Sequence, residues 1–135
     1  MTVSTIMTRK VQTLTPENSF ETVREIFRKV SFHHLVVVND HNELKGILSD
    51  RDMMAQIALW LDRNNGESFT DFLPRLTVGD VMTRDVITVD AETPIDTASV
   101  LLLENRISSL PVIDVDQKVI GIVTWKDLLK YYVYE

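Results

Sequence analysis

The 135 residues include no cysteine. Disulfides, thiolate nucleophiles and cysteine-based zinc sites are therefore excluded. Glycine is scarce, four in all, and no two are spaced as in G-x-G-x-x-G, so there is no Gly-rich phosphate loop. No apolar run reaches the roughly 18 residues of a membrane span, and no charged-then-apolar leader opens the chain. A soluble, cytoplasmic protein without a membrane partner is expected. Basic side chains are outnumbered 14 to 20, for a net charge of −6. That argues against a nucleic-acid backbone as partner. The deficit is uneven: residues 1–75 hold 9 basic and 10 acidic side chains, and residues 76–135 hold 5 and 10. The first half is thus the better source of counter-charges for a bound anion. Of only three histidines, His33 and His34 are adjacent, so on an extended segment they point to opposite faces and cannot chelate together. No metal site and no catalytic Ser/His/Asp set is expected.

What is present is a unit written twice. Shifted by 75 positions, the stretch from Ile6 to Met54 aligns without a gap on Val81 to Leu129, with 12 of 49 pairs identical. Met7-Thr8-Arg9 matches Met82-Thr83-Arg84, Leu35-x-Val37 matches Leu110-x-Val112, and Gly46-Ile47 matches Gly121-Ile122. Apolar content of 44% is enough for a packed core. The organisation expected is repeat 1 over 1–63, a linker over 64–77 and repeat 2 over 78–135.

Each repeat reads the same way. A helical turn at Ser4–Met7 or Val78–Met82 precedes a short strand at Val11–Leu14 or Val86–Val89. A helix follows, with Asn18 or Thr93 as N-cap and Pro94 at the first helical position of the second copy. Its apolar residues fall at helical spacing: Phe20, Val23, Ile26, Phe27 and Val30, and Ile95, Ala98, Leu101 and Leu102. Two strands joined by a hairpin-length turn come next, Leu35–Val38 with Leu44–Leu48 and Leu110–Ile113 with Val119–Val123. A second helix begins at Ser49 or Thr124. The first copy of it runs to about Arg63, before Asn64-Asn65-Gly66, and Pro74 interrupts the linker.

At that last junction both repeats carry Gly, two apolar residues, a hydroxyl residue, two variable residues and Asp: Gly46 to Asp52 and Gly121 to Asp127. A helix N-terminus offers unpaired N–H groups and partial positive charge, suited to phosphate. The carboxylates of Asp52 and Asp127 can each accept two hydrogen bonds from a sugar diol. The same Ser/Thr-x-x-Asp spacing also describes a capping box, which needs no ligand. A Gly three residues before the hydroxyl is not part of a capping box, and it marks a site where a ligand approaches the backbone closely.

With Met-Thr-x-x-Val-x-Thr, Leu110-Pro111-Val112 and Gly-h-x-Ser/Thr-x-x-Asp, nearly the whole chain resembles a tandem pair of CBS domains, a Bateman module. The resemblance implies an α+β fold of two β-α-β-β-α repeats about a pseudo-twofold axis. It implies clefts that bind adenosine-containing ligands: AMP, ADP or ATP, and in some members S-adenosylmethionine or NAD. No cofactor is required. Carried over by motif, Asp52 and Asp127 hold ribose, with Ser49 and Thr124 beside them. Thr13, Leu14, Thr88 and Val89 line adenine pockets. Ser108, three residues before Pro111, and its counterpart His33 face phosphate. His34 and Arg51 add partners in the first copy, and Ser109 and Lys126 in the second, so unequal sites are expected. Val36 departs from the pattern, standing where Pro is usual.

The resemblance further implies a homodimer formed through helices and a regulated partner protein. Met53, Met54, Ile57 and Trp60, and Leu128, Leu129 and Tyr132, supply the apolar helix faces. The alternative reading is a ligand-free dimerisation or scaffold module in which the Ser/Thr-x-x-Asp pairs only cap helices.

Overall fold

The computed structural model describes residues 1–29, 34–62, 66 and 68–134. Val30, His33 and the helix stop at Arg63, Asn64 and Asn65 lie outside the described residues. The fold is α+β. The first repeat carries β1 (Thr13–Leu14), α1 (Phe20–Lys29), β2 (His34–Val38), β3 (Leu44–Ser49) and α2 (Asp50–Asp62). The connecting stretch holds α3 (Phe69–Phe72) and a 3-10 turn at Leu73–Arg75 that contains Pro74. Then come α4 (Val78–Val81), α5 (Ile95–Asn105), β4 (Ser109–Ile113), β5 (Val119–Thr124) and α6 (Trp125–Tyr134).

The chain divides into two compact units that do not follow the order of the repeats. Unit 1 comprises Met1–Gln12, His41–Leu44 and Asp85–Glu135; unit 2 comprises Thr13–Asp40 and Lys45–Arg84. The opening segment of the chain therefore folds with the second repeat. In unit 1, Val3 N donates to Thr93 O at 2.8 Å, and Thr8 forms an antiparallel bridge with Ile122 of β5. In unit 2, the segment 75 residues later does the same: Val78 N donates to Asn18 O at 2.8 Å, and Thr83 bridges Ile47 of β3.

The sheets match. In unit 2, β1 runs parallel to β2, with Thr13 opposite Val36 and Leu14 opposite Val37, and β3 lies on the other side of β2. In unit 1, Val89 forms the equivalent parallel bridge to Val112, and β4 pairs antiparallel with β5. Each unit closes its own core. Val3, Met7, Ile95, Ala98, Leu102, Leu110, Val123 and Leu128 pack together in unit 1. Phe20, Val23, Leu35, Leu48, Leu73, Val78 and Met82 do so in unit 2. The two hairpin turns place a left-handed residue at the same repeat position, Asn42 at φ 61° and Gln117 at φ 66°.

Two expected details shift. Asn18 and Thr93 are not helix caps: they fasten the turn before the helix, where Thr15 N donates to Asn18 Oδ1 at 2.8 Å and Asp90 N to Thr93 Oγ1 at 3.2 Å. Each helix starts one residue later than Asn18 or Thr93 would require. Ser19 Oγ accepts from Thr22 N at 3.4 Å, and Pro94 is the N-cap of α5 rather than its first residue. Leu128, expected on an outer helix face, belongs to the core, Met53 packs against the unit 2 core, and Trp60 stacks edge-on against Phe69 at 5.3 Å.

Candidate functional site

In unit 1 the site residues gather where β5 becomes α6. Thr124 ends the strand and Trp125 begins the helix. Asp127 Oδ2 accepts from Thr124 N at 2.8 Å and from Thr124 Oγ1 at 3.2 Å. Its other oxygen, Oδ1, is reached by the Thr8 hydroxyl at 3.5 Å. Ser109 stands directly opposite Thr124 in the β4–β5 ladder, so the two side chains share a face. Ser109 is the single buried polar residue of the described chain. Ser108 O accepts from Trp125 N at 3.2 Å, which ties the start of β4 to the start of α6. Val89 N donates to Pro111 O at 3.1 Å, so Thr88 and Val89 border the same sheet. Lys126 is exposed.

Unit 2 repeats the junction at β3 and α2. Asp52 Oδ2 accepts from Ser49 N at 2.8 Å and Ser49 Oγ at 3.1 Å, and Asp52 N donates back to Ser49 Oγ at 3.2 Å. Thr13 and Leu14 lie on β1 beside β2, and His34 is the first residue of β2. Arg51 is exposed on the first turn of α2. Its neighbour in the expected phosphate set, His33, lies outside the described residues.

Two points go beyond the residues read from sequence. The capping geometry is present at both junctions, complete at Ser49 and one-sided at Thr124. It uses one carboxylate oxygen of each Asp; the other oxygen of Asp127 meets the Thr8 hydroxyl and keeps a second lone pair. The repeated Gly was expected to admit a ligand close to the backbone, but its neighbours are protein atoms. A Cβ on Gly121 would lie 2.7 Å from Met7 Sδ, and one on Gly46 would lie 2.7 Å from Met82 Sδ and 2.8 Å from the Thr83 carbonyl. The Met-Thr segment is what approaches these glycines. Thr8, whose hydroxyl reaches Asp127, is not among the expected site residues, although the repeated Met-Thr-Arg triplet was its signal. Its arginines hold the segment in place: Arg9 donates to Ser4 O at 3.1 Å and Arg84 to Gly79 O at 2.8 Å. Among the described residues, no three His, Asp or Glu side chains group to hold a metal ion.

Two interleaved units, each with a mixed sheet and a hydroxyl–carboxylate pair at a helix N-terminus, define a class of protein. The CBS domain family matches this chain twice, over residues 3–59 and 78–134, and the chain belongs to that family. It is 33% identical over 126 residues to an inosine-5'-monophosphate dehydrogenase of Thermoplasma acidophilum, covering 93% of this chain and 22% of that one. The chain thus spans about a fifth of the length of the first curated relatives it matches. Among solved structures, CBSX2 of Arabidopsis thaliana in complex with AMP has a TM-score of 0.80 at 28% identity, over 98% of this chain and 96% of that one. The CBS domain pair of protein MJ0100, in complex with 5'-methylthioadenosine and S-adenosyl-L-methionine, also has a TM-score of 0.80 at 28% identity, over 99% and 97%. No helix of the described residues is long and apolar enough to cross a membrane.

Proposed function

We propose that this chain is a non-catalytic regulatory module that binds an adenosine-containing ligand and signals its presence to a partner protein. The observation that carries the reading is the Asp of each Ser/Thr-x-x-Asp motif. One of its oxygens is fixed by the helix start; the other keeps acceptor capacity for a ribose diol, beside the Thr8 hydroxyl in the case of Asp127, and similar CBS pairs are solved with AMP, S-adenosyl-L-methionine and 5'-methylthioadenosine. Residues 1–63 and 78–135 act as the two repeats, with 64–77 as linker. The site in each compact unit draws on both repeats, because Thr8 reaches Asp127 across the interleaved chain. In unit 1, Thr88, Val89 and Pro111 border the adenine, and Ser108, Ser109, Thr124 and Lys126 serve ribose and phosphate. In unit 2, Thr13 and Leu14 take the adenine, and His33, His34, Ser49 and Arg51 take the phosphate. The basic groups make unit 2 the better site for ADP or ATP and unit 1 the better site for a ligand of low charge. The module works in the cytoplasm as a homodimer joined through its exposed helices.

The test is a thermal-shift panel of AMP, ADP, ATP, S-adenosylmethionine and NAD. Free ligand at about 100 times its dissociation constant stabilises the folded state by roughly 2.7 kcal/mol per site. A panel with no shift at millimolar ligand overturns the binding reading. The complete capping box at Ser49 and Asp52 then favours the second reading, a ligand-free dimerisation scaffold.

A further inference from the structure

Asp127 and Asp52 hold the same place in the two units but do not meet the same donors. A carboxylate offers about four lone-pair sites, two on each oxygen. At Asp127, Thr124 N and Thr124 Oγ1 take both sites of Oδ2, at 2.8 and 3.2 Å. The Thr8 hydroxyl donates to Oδ1 at 3.5 Å, which leaves a single site on that oxygen. At Asp52, Ser49 N and Ser49 Oγ likewise fill Oδ2, at 2.8 and 3.1 Å. Thr83 is the counterpart of Thr8. Among the described residues, neither Thr83 nor any other donor meets Asp52 Oδ1, so both sites of that oxygen remain.

A ribose diol brings two O–H donors. Asp52 can accept both on Oδ1. Asp127 can accept only one of them while Thr8 keeps its place, and Thr8 is firmly held. Thr8 N donates to Ile122 O and Ile122 N to Thr8 O, each at 2.9 Å. Met7 before it is buried beside Gly121, and Arg9 after it donates to Ser4 O. The pair of Thr8 and Asp127 is therefore set before any ligand arrives. Thr8 Oγ1 gives its one proton to Asp127 and keeps lone pairs of its own. Thr8 is exposed and Asp127 half-buried, so a ligand can reach both oxygens. The hydroxyls of a vicinal diol are close neighbours and can span two acceptors 3.5 Å apart.

We infer that Thr8 is a second ribose acceptor of the unit 1 site and the residue that sets its sugar specificity. One hydroxyl of the diol donates to Asp127 Oδ1 and the other to Thr8 Oγ1. Unit 1 then reads one hydroxyl with a charge and the other with a neutral oxygen, whereas unit 2 reads both with a charge. This rests on the ribose reading above and deepens it. Hydrogen bonds to charged groups are the stronger kind. Losing the hydroxyl that meets the carboxylate should weaken binding at unit 1 roughly tenfold or more, and losing the one that meets Thr8 about threefold. At unit 2 the two losses should be alike.

Calorimetry with AMP, 2'-deoxy-AMP and 3'-deoxy-AMP reads the sites one at a time. Asp52→Asn weakens unit 2 and leaves unit 1 to be titrated, and Asp127→Asn does the reverse. In the Asp52→Asn protein the two deoxy compounds should lose unequally, by factors at least about threefold apart. Adding Thr8→Val keeps the branched shape and the backbone bridge but frees the second site on Oδ1, so the two losses should become equal. Adding Thr8→Ser keeps a hydroxyl and should keep them unequal. In the Asp127→Asn protein the losses should be equal with or without Thr83→Val. If Thr8 only packs the edge of the sheet, Thr8→Val weakens all three ligands by one factor and the ratios stand. Ratios unmoved by Thr8→Val, or equal losses before it, overturn the role of Thr8 and leave the proposed ligand class standing. AMP bound by the parent but not by the Asp52→Asn protein also overturns this inference alone. A parent that binds none of the three overturns the adenine-nucleotide reading and this inference together.

Discussion

Unit 1 and unit 2 are built on one skeleton and differ at what that skeleton displays. The residues held identical between them, Met-Thr-Arg, Gly and the motif Asp, are those that lock the opening segment, clear its path and start the second helix. Core positions exchange one apolar residue for another, Phe20 against Ile95 and Val23 against Ala98, whereas other positions change in kind: Ser109 against His34, and Val100 and Leu103 against Glu25 and Arg28. The contacts that hold each unit together repeat, and the chemistry displayed around them does not.

The largest effect should come from filling the space beside the glycines. Gly46→Ala places a Cβ against both a sulfur and a backbone carbonyl at under 3 Å, whereas at Gly121 the carbonyl lies at 3.1 Å and a flexible sulfur is the closest atom. Overpacking of this kind costs about 1–3 kcal/mol. Gly46→Ala should fall at the upper end and Gly121→Ala at the lower, measured by urea unfolding of each variant. Equal losses would mean that the two units relax alike.

Next is the ribose contact. A charge-assisted hydrogen-bond pair is worth roughly 1.5–3 kcal/mol, so Asp52→Asn and Asp127→Asn should each weaken nucleotide binding about ten- to a hundredfold at their own site. Calorimetry with AMP and its 2'-deoxy analogue separates the sites, because the deoxy compound should lose less in the variant than in the parent. Unchanged affinities in both variants would leave the carboxylates as helix caps.

A smaller difference follows from the caps themselves. Ser49→Ala removes a hydroxyl that both donates to Asp52 and accepts from its N–H, and should cost about 1 kcal/mol. The Thr124 hydroxyl only donates, so Thr124→Ala should cost less, about 0.5 kcal/mol. The smallest effect belongs to Glu25→Ala. Its ion pair with Arg28 is more than half exposed on both sides, and the loss should stay within about 0.5 kcal/mol by thermal unfolding.

Much of this was legible from residue order because it is local. The hairpins, the helix starts at Ser49 and Thr124 and the i,i+3 contact between hydroxyl and carboxylate depend on neighbours a few residues apart. What stayed illegible is the pairing of parts. A sequence that repeats at 75 residues looks the same whether Thr8 meets Asp52 or Asp127, and whether Met7 covers Gly46 or Gly121. Only tertiary packing chooses, and each time it chooses the copy in the other repeat. The helix caps failed for a nearer reason. Asn18 and Thr93 carry good cap chemistry, and the turn just before the helix takes it first.

The interleaving of the units also sets an order in time. Everything in unit 2 lies between Thr13 and Arg84, a span interrupted only by the short His41–Leu44 stretch of unit 1, so that unit has all its parts once residue 84 has left the ribosome. Unit 1 must hold its first twelve residues in reserve until α6 is made, and then close a loop of more than a hundred residues to join Thr8 to Asp127. Non-local closures of this kind are slow, and they leave the waiting segment open to wrong partners, including the same segment of a neighbouring chain.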